Sequence, residues 1–275
     1  MFALIGRPRV MGIVNVTPDS FSDGGRYLAT DDAVSHGQEL LADGADILDI
    51  GGESTRPGAT RPLVGEELSR VIPVIEELAA EGAIISVDTM RAEVAEAAVA
   101  AGAGIVNDVS GGLADPRILD VVAASEAVYV AMHWRAHGAT MQRFTEYADG
   151  VVETVRAELA GRADAALAAG IPAERLVLDP GLGFSKTADQ NWQLLRGLAR
   201  IADLGHPILI GASRKAFLGA LLADPDDRPR PVGERESAHA AVTVYLARAG
   251  VWCARVHDVR ATRDALAVVE RMQEK

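Results

Sequence analysis

Residues 83–109 read AIISVDTMRAEVAEAAVAAGAGIVNDV. An apolar run at 83–87 ends at Asp88, an alanine-rich stretch at 91–101 follows, and a second apolar run at 104–109 carries Asn107 and Asp108. This is the pattern of a strand, a crossover helix and a parallel strand. Strands of parallel sheets are buried on both faces, so they read as continuous Val, Ile and Leu rather than as an alternation. The same cycle recurs along the whole chain. Apolar runs lie at 10–16, 46–50, 83–87, 104–109, 127–132, 175–178, 207–210 and 253–256. Helical stretches lie at 31–42, 65–80, 91–101, 115–125, 150–169, 189–202, 214–222 with 234–249, and 261–272. In the second of these, Leu68, Val71, Ile72, Ile75 and Leu78 have the spacing of one buried helical stripe. Eight strand–helix units with no linker predict an α/β protein, a single-domain (β/α)8 TIM barrel over residues 1–275. An open doubly wound sheet is the alternative. The proline-rich, charged segment 224–235 (DPDDRPRPVGER) reads as an exposed loop between two helical pieces.

Composition narrows the function. The 275 residues are 49% hydrophobic and 24% charged, enough to build a sizeable core. A net charge of −12 argues against nucleic acid or an anionic membrane as partner. No apolar stretch approaches the ~20 residues of a membrane span, and the N-terminal apolar run is too short for a signal peptide. The expected compartment is the cytoplasm. The single cysteine, Cys253, excludes an intrachain disulfide and a cysteine-based metal cluster. No G-x-G-x-x-G, G-x-x-x-x-G-K-[ST] or H-E-x-x-H pattern occurs. That disfavours dinucleotide, P-loop and zinc-protease chemistry.

Barrel enzymes work at the carboxyl ends of their strands. Polar side chains follow every apolar run: Asn15, then Glu53-Ser54-Thr55-Arg56, Asp88, Asn107-Asp108, His133, Asp179, Ser213-Arg214-Lys215, and Arg255 with His257-Asp258. Such a ring over an apolar barrel has the form of a small-molecule site. Caps and turns explain some of them individually. Asp88 and Asp179 end apolar strands, where an unpaired carboxylate is costly. They suit a ring bearing N–H and amino donors, with Asn107 for a mixed edge. Only three of the 27 basic residues are lysines (Lys186, Lys215 and Lys275), and the first two fall in glycine-bearing strand-end loops. Residues 211–215 (GASRK) open a helix after a strand, an arrangement that favours an anion. Arg255 and His257 are suited to clamp a phosphate group. Two long polar loops, 17–29 and 51–65, are candidate lids, with Phe21 and Pro57 placed to cover an aromatic ligand.

Seven segments together resemble dihydropteroate synthase: NVTPDSFSDGG (15–25), DIGGESTRPG (49–58), SVDT (86–89), NDVSG (107–111), DPGLGFSK (179–186), GASRK (211–215) and RVHDV (255–259). The resemblance runs from about residue 10 to 269. MHWR (132–135) and the arginine-rich composition resemble actinobacterial members. The family implies a barrel that joins 6-hydroxymethyl-7,8-dihydropterin diphosphate to 4-aminobenzoate, releasing diphosphate and 7,8-dihydropteroate for folate biosynthesis. It implies that Asp88, Asn107, Asp179 and Lys215 hold the pterin and that Arg255 packs against it. Asn15 would bind Mg2+ on the diphosphate. Thr55, Arg255 and His257 would lie at the phosphates. Phe184, Pro57, Thr55 and Lys215 would frame the aminobenzoate, and Arg56 and Ser213 are further expected substrate contacts. Asp88, Asp179, Lys215 and Arg255 are expected to carry the catalysis. The family further implies a homodimer and inhibition by sulfonamides.

One departure stands out. Some members carry serine directly after the SRK lysine, where it can bond the aminobenzoate carboxylate; this chain has Ala216. Two rival readings are a pterin-binding methyltransferase barrel and a catalytically silent pterin-binding paralogue. The first has no use for the SRK segment or the arginine–histidine pair, and the second should have lost part of that machinery.

Overall fold

The computed structural model describes residues 7–17, 26–53, 61–137 and 140–274. Its sheet has eight parallel strands: β1 (Arg9–Asn15), β2 (Ile47–Gly51), β3 (Ile85–Asp88), β4 (Ile105–Asp108), β5 (Val128–Met132), β6 (Leu176–Asp179), β7 (Leu209–Ile210) and β8 (Cys253–Val256). They pair in the order β6-β5-β4-β3-β2-β1-β8-β7. A parallel bridge between Leu178 and Ile208 joins the two ends, so the sheet closes into a barrel. Each strand coincides with one of the apolar runs of the sequence.

Ten α-helices pack outside among the described residues: α1 (Arg26–Ala42), α2 (Val64–Ala80), α3 (Ala92–Ala100), α4 (Arg117–Ala123), α5 (Val151–Ala168), α6 (Ala188–Arg196), α7 (Leu198–Ala202), α8 (Ala216–Leu221), α9 (Glu236–Arg248) and α10 (Val259–Gln273). Three details differ from the sequence reading. The first helix begins at Arg26, inside the segment expected to be a loop. The expected 189–202 helix breaks at Gly197, where a Cβ would sit 2.8 Å from the Val152 methyls. The segment 224–235 is exposed up to Glu234, but Arg235 is buried.

Two apolar layers hold the molecule together. Val71, Val74, Ile75 and Leu78 line the buried face of α2 and join the large cluster between the helices and the outer face of the barrel. Each such side chain contributes ~1.5–3 kcal/mol on burial. A second cluster, Met11, Ile47, Ile105, Val128, Val130, Val177, Leu209, Trp252 and Cys253, fills the barrel interior. It makes an apolar plug beneath the carboxyl ends of the strands. No helix among the described residues is long and apolar enough to cross a membrane.

Candidate active site

Successive side chains of a strand point to opposite faces, so the interior cluster fixes which polar residues look into the barrel mouth. Met11, Ile47, Ile105, Val177 and Cys253 are interior. Counting in twos toward the carboxyl ends from them gives Asn15, Asp49, Asn107, Asp179 and Arg255. In β3, Ile85 and Val87 pack outward on the helices, so Ser86 and Asp88 face inward. Asp108 has the opposite parity. It is fully buried on the helix side and accepts hydrogen bonds from the Ser110 N–H and hydroxyl, the Gly112 N–H and the Tyr129 hydroxyl. Of the Asn107-Asp108 pair, only Asn107 belongs to the site.

The floor of the mouth is a network around Arg255. Its Nε donates to Asp49 Oδ2 at 2.5 Å and its Nη2 to Asp88 Oδ2 at 2.6 Å. Asn107 Nδ2 donates to the same Asp49 oxygen at 3.1 Å. Asp49 Oδ1 is buried and has no hydrogen-bond partner among the described residues. A buried acceptor without a donor is costly unless a ligand supplies one. Burial pushes the Asp88 carboxyl up to about 7, although the Arg255 guanidinium opposes the shift. Burial also raises Asp179, against the nearby Lys215 and a hydrogen bond from Gly181 N–H at 2.7 Å. Burial disfavours the Arg255 cation, yet Asp49 and Asp88 outweigh it and hold the proton more firmly than usual.

The far wall is the DPGLGFSK turn after β6. Gly181 has φ +66°, and a Cβ there would lie 2.5 Å from the His133 carbonyl oxygen, so only glycine fits. Lys215 crosses from the N-cap of α8 and donates to the Leu182 carbonyl. Its Nζ also stands 5.0 Å from the centroid of the Phe184 ring, within cation–π range. Burial lowers Lys215 to about 8 despite the neighbouring Asp179. Ser213 and His257 meet on the β7–β8 side, with Ser213 Oγ 3.0 Å from His257 Nδ1.

Asp88, Asn107, Asp179, Phe184, Lys215 and Arg255 therefore converge, with Ser213 and His257 on the adjoining rim. Asn15 stands half-buried at the end of β1, and its side chain makes no hydrogen bond to another described residue. Thr55, Arg56, Pro57 and Phe21 lie outside the described residues. The chain on either side of 54–60 is tied by Arg61 Nε to Glu53 at 3.0 Å and by Arg70 Nη1 to the Gly52 carbonyl at 2.9 Å. Three contributors escaped the sequence reading. Asp49 lies inside the DIGGESTRPG motif with no expected role, and only the inward face of Ile47, two residues earlier, reveals it. Lys186 was singled out only as a scarce lysine. Arg235 was read as part of an exposed loop.

Comparison with known proteins agrees with this geometry. The family model described as pterin binding enzyme matches residues 11–257. The dihydropteroate synthase of Mycobacterium leprae is 53% identical over 261 residues, covering 95% of this chain and 92% of that one. The solved Xanthomonas albilineans dihydropteroate synthase with 4-aminobenzoic acid superposes with a TM-score of 0.89 at 48% identity, covering 98% of this chain and 94% of that one. The same organism's enzyme in complex with 7,8-dihydropteroate gives a TM-score of 0.86 at 46% identity, covering 98% and 95%. With the barrel, the converging polar ring and these relatives all in agreement, the chain belongs to the dihydropteroate synthases of the pterin-binding enzyme family.

Proposed function

We propose that this protein is a transferase that condenses 6-hydroxymethyl-7,8-dihydropterin diphosphate with 4-aminobenzoate, giving 7,8-dihydropteroate and diphosphate. The observation that carries the reading is the inward convergence of Asp49, Asp88, Asn107 and Asp179 around Arg255 and Lys215. Carboxylates and an amide match the N–H and amino donors of a pterin edge. The guanidinium of Arg255, held flat by two carboxylates, forms the surface on which the ring rests. Phe184 and Lys215 frame the aminobenzoate, with Thr55, Arg56 and Pro57 assigned to the same subsite. His257 and Ser213 face the diphosphate.

The carbon–oxygen bond to diphosphate breaks first in this scheme, and the leaving group departs with the electron pair. A cationic methylene conjugated to the ring remains. Asp88 and Asp179 favour that cation, and the neutral arylamine nitrogen attacks it and then gives up one of its two protons to solvent, leaving the secondary amine of the product. No side-chain nucleophile is required. Asn15 offers a neutral oxygen ligand at the strand end. Mg2+ takes one or two protein ligands and completes its shell with water and substrate phosphate oxygens. Asn15 would hold such a Mg2+ beside the diphosphate, where the ion would offset the leaving group's charge.

Sulfonamides, as aminobenzoate mimics, compete at the Phe184–Lys215 subsite. We assign the protein to the cytoplasm and to a homodimer. The acidic chain argues against attachment to an anionic membrane, and exposed Leu221, Tyr245, Val268 and Met272 on α8, α9 and α10 support the homodimer. Recovery in a membrane fraction, or sedimentation at the monomer mass, would remove these assignments in turn. The decisive assay mixes the purified protein with both substrates and Mg2+. Dihydropteroate and diphosphate in equal amounts are expected. Methyl transfer instead, or pterin binding without product, would overturn the reading in favour of a methyltransferase or a silent paralogue.

A further inference from the structure

Lys186 is only 3% exposed, yet its side chain carries three donors and meets three acceptors. Nζ lies 2.9 Å from His133 Nδ1, 3.0 Å from the Gly181 carbonyl oxygen and 2.9 Å from the Phe184 carbonyl oxygen. The histidine is itself fixed from behind. Its Nε2 lies 2.7 Å from Glu158 Oε2, and Glu158 is held by Arg135 Nη2 at 2.6 Å. Arg135 stacks 4.1 Å from the centroid of Tyr147, whose hydroxyl donates to the Ser185 carbonyl at 2.9 Å. A neutral ring that accepts from the ammonium at Nδ1 and donates at Nε2 satisfies every partner. Burial, reinforced by Lys186, lowers His133 to about 4, in keeping with that neutral form.

These contacts surround one turn. Lys186 takes the carbonyls of Gly181 and Phe184, Lys215 takes that of Leu182 from the other side, and Asn191 Oδ1 receives the Gly183 N–H at 2.6 Å. The two lysines grip the same four residues. The turn carries Phe184 and nothing of the strand ladder. Asp179, by contrast, belongs to β6 and is fixed by its pairing with Met132 and by the His133 N–H on its carbonyl at 2.8 Å.

We propose that Lys186, oriented by the His133–Glu158–Arg135 chain, is a positioning residue that holds the 181–184 turn so that Phe184 and Lys215 form the aminobenzoate subsite. It acts through the turn and touches neither substrate. This rests on the function proposed above. Loss of Lys186 loosens the turn and removes a cation near Asp179, but Asp179 keeps its backbone place in β6 and Asp49, Asp88 and Asn107 keep their network with Arg255. The effect therefore separates the two substrates, which a general loss of packing does not.

The test compares steady-state kinetics of the wild type and Lys186→Met, with direct binding of the pterin diphosphate by calorimetry. The expected result is an aminobenzoate KM raised tenfold or more and pterin affinity changed less than threefold. An unchanged aminobenzoate KM, or an equal weakening of both substrates, overturns the proposal. Should Lys186→Met not fold, Glu158→Ala serves instead. Glu158 is half-exposed, and its loss leaves the lysine's carbonyl bonds but frees the histidine. There a two- to fivefold rise in aminobenzoate KM alone is expected, and no rise overturns the proposal. If the wild type forms no dihydropteroate, the proposed function fails; if it does while both variants keep a normal KM, only the role of Lys186 fails.

Discussion

Arg255 touches two carboxylates at once, and still burial leaves Asp88 half-protonated near neutrality, at about 7. Lys215, on the opposite side of the mouth, is brought down to about 8 by burial despite Asp179. The two shifts set a narrow working window. Ionised, Asp88 turns only acceptor lone pairs toward the pterin's donors, whereas the protonated acid places an O–H donor among them, so turnover of the pterin substrate rises with pH through about 7. Lys215 frames the aminobenzoate as a cation only when protonated, so turnover falls again above about 8. The pH profile of kcat/KM reports the groups of the free enzyme. A bell with limbs near these two values is expected for the wild type when kcat/KM is measured from pH 5.5 to 9.5. Asp88→Asn, which cannot ionise, should lose the acid limb and fall at least tenfold at the optimum. A wild-type profile flat between pH 5.5 and 7.5 would contradict the role given to Asp88.

Elements, not single residues, aim the SRK segment. Arg214 sits at φ +60°, a left-handed backbone that a side-chain-bearing residue adopts at some cost. Arg235, from the start of α9, donates to the Arg214 carbonyl at 2.7 Å and to the Arg230 carbonyl at 2.8 Å. It lies flat on α8, where a Cβ on Gly219 would come within 2.6 Å of its Nε and Nη2. Gly219→Ala should therefore expel the guanidinium, relax Arg214 and move Ser213 and Lys215 on either side. The expected loss is tenfold or more in kcat/KM, matched by Arg235→Met and not deepened in the double variant. Additive losses would mean that the two act separately. None of this could be read from the chain, because Arg235 meets Arg214 and Gly219 across a sequence gap that no local pattern spans. The strands themselves were readable: short apolar runs alternating with helical stretches placed all eight. Parity was not. Parallel strands are apolar on both faces, so nothing in IVND marks Asn107 as the inward residue and Asp108 as the outward one. For the same reason Asp49, flanked by Leu48 and Ile50, resembles a strand interruption rather than half of the Arg255 network.

At the scale of the molecule, a barrel that buries this many ionisable groups sets function against stability. Burial raises Asp88, Asp179, Asp108 and Glu67, so the folded state keeps protons that the unfolded chain has already lost. Their contribution to stability is present at low pH and declines as pH rises from the ordinary carboxylate value toward the folded one. His133 runs the other way. Its folded value is about 4, so the unfolded chain binds a proton first and stability is lost as pH falls from 6.5 toward 4. Between pH 7 and 5 the two tendencies oppose each other. Asp88 also binds the proposed substrate in the form that stabilises the fold least, as strained active sites often do. Asp88→Asn removes one carboxyl from the balance and leaves His133 in place. The Tm of the wild type minus that of Asp88→Asn should therefore widen as pH is lowered from 7 to 5. A change of 1 kcal/mol moves Tm by ~2–4 °C in domains of ~150–250 residues, so the widening is measurable by calorimetry at several pH values. A difference that stays constant across that range would show that Asp88 has the same proton affinity folded and unfolded, and both the stability argument and the acid limb of the activity profile would fall together.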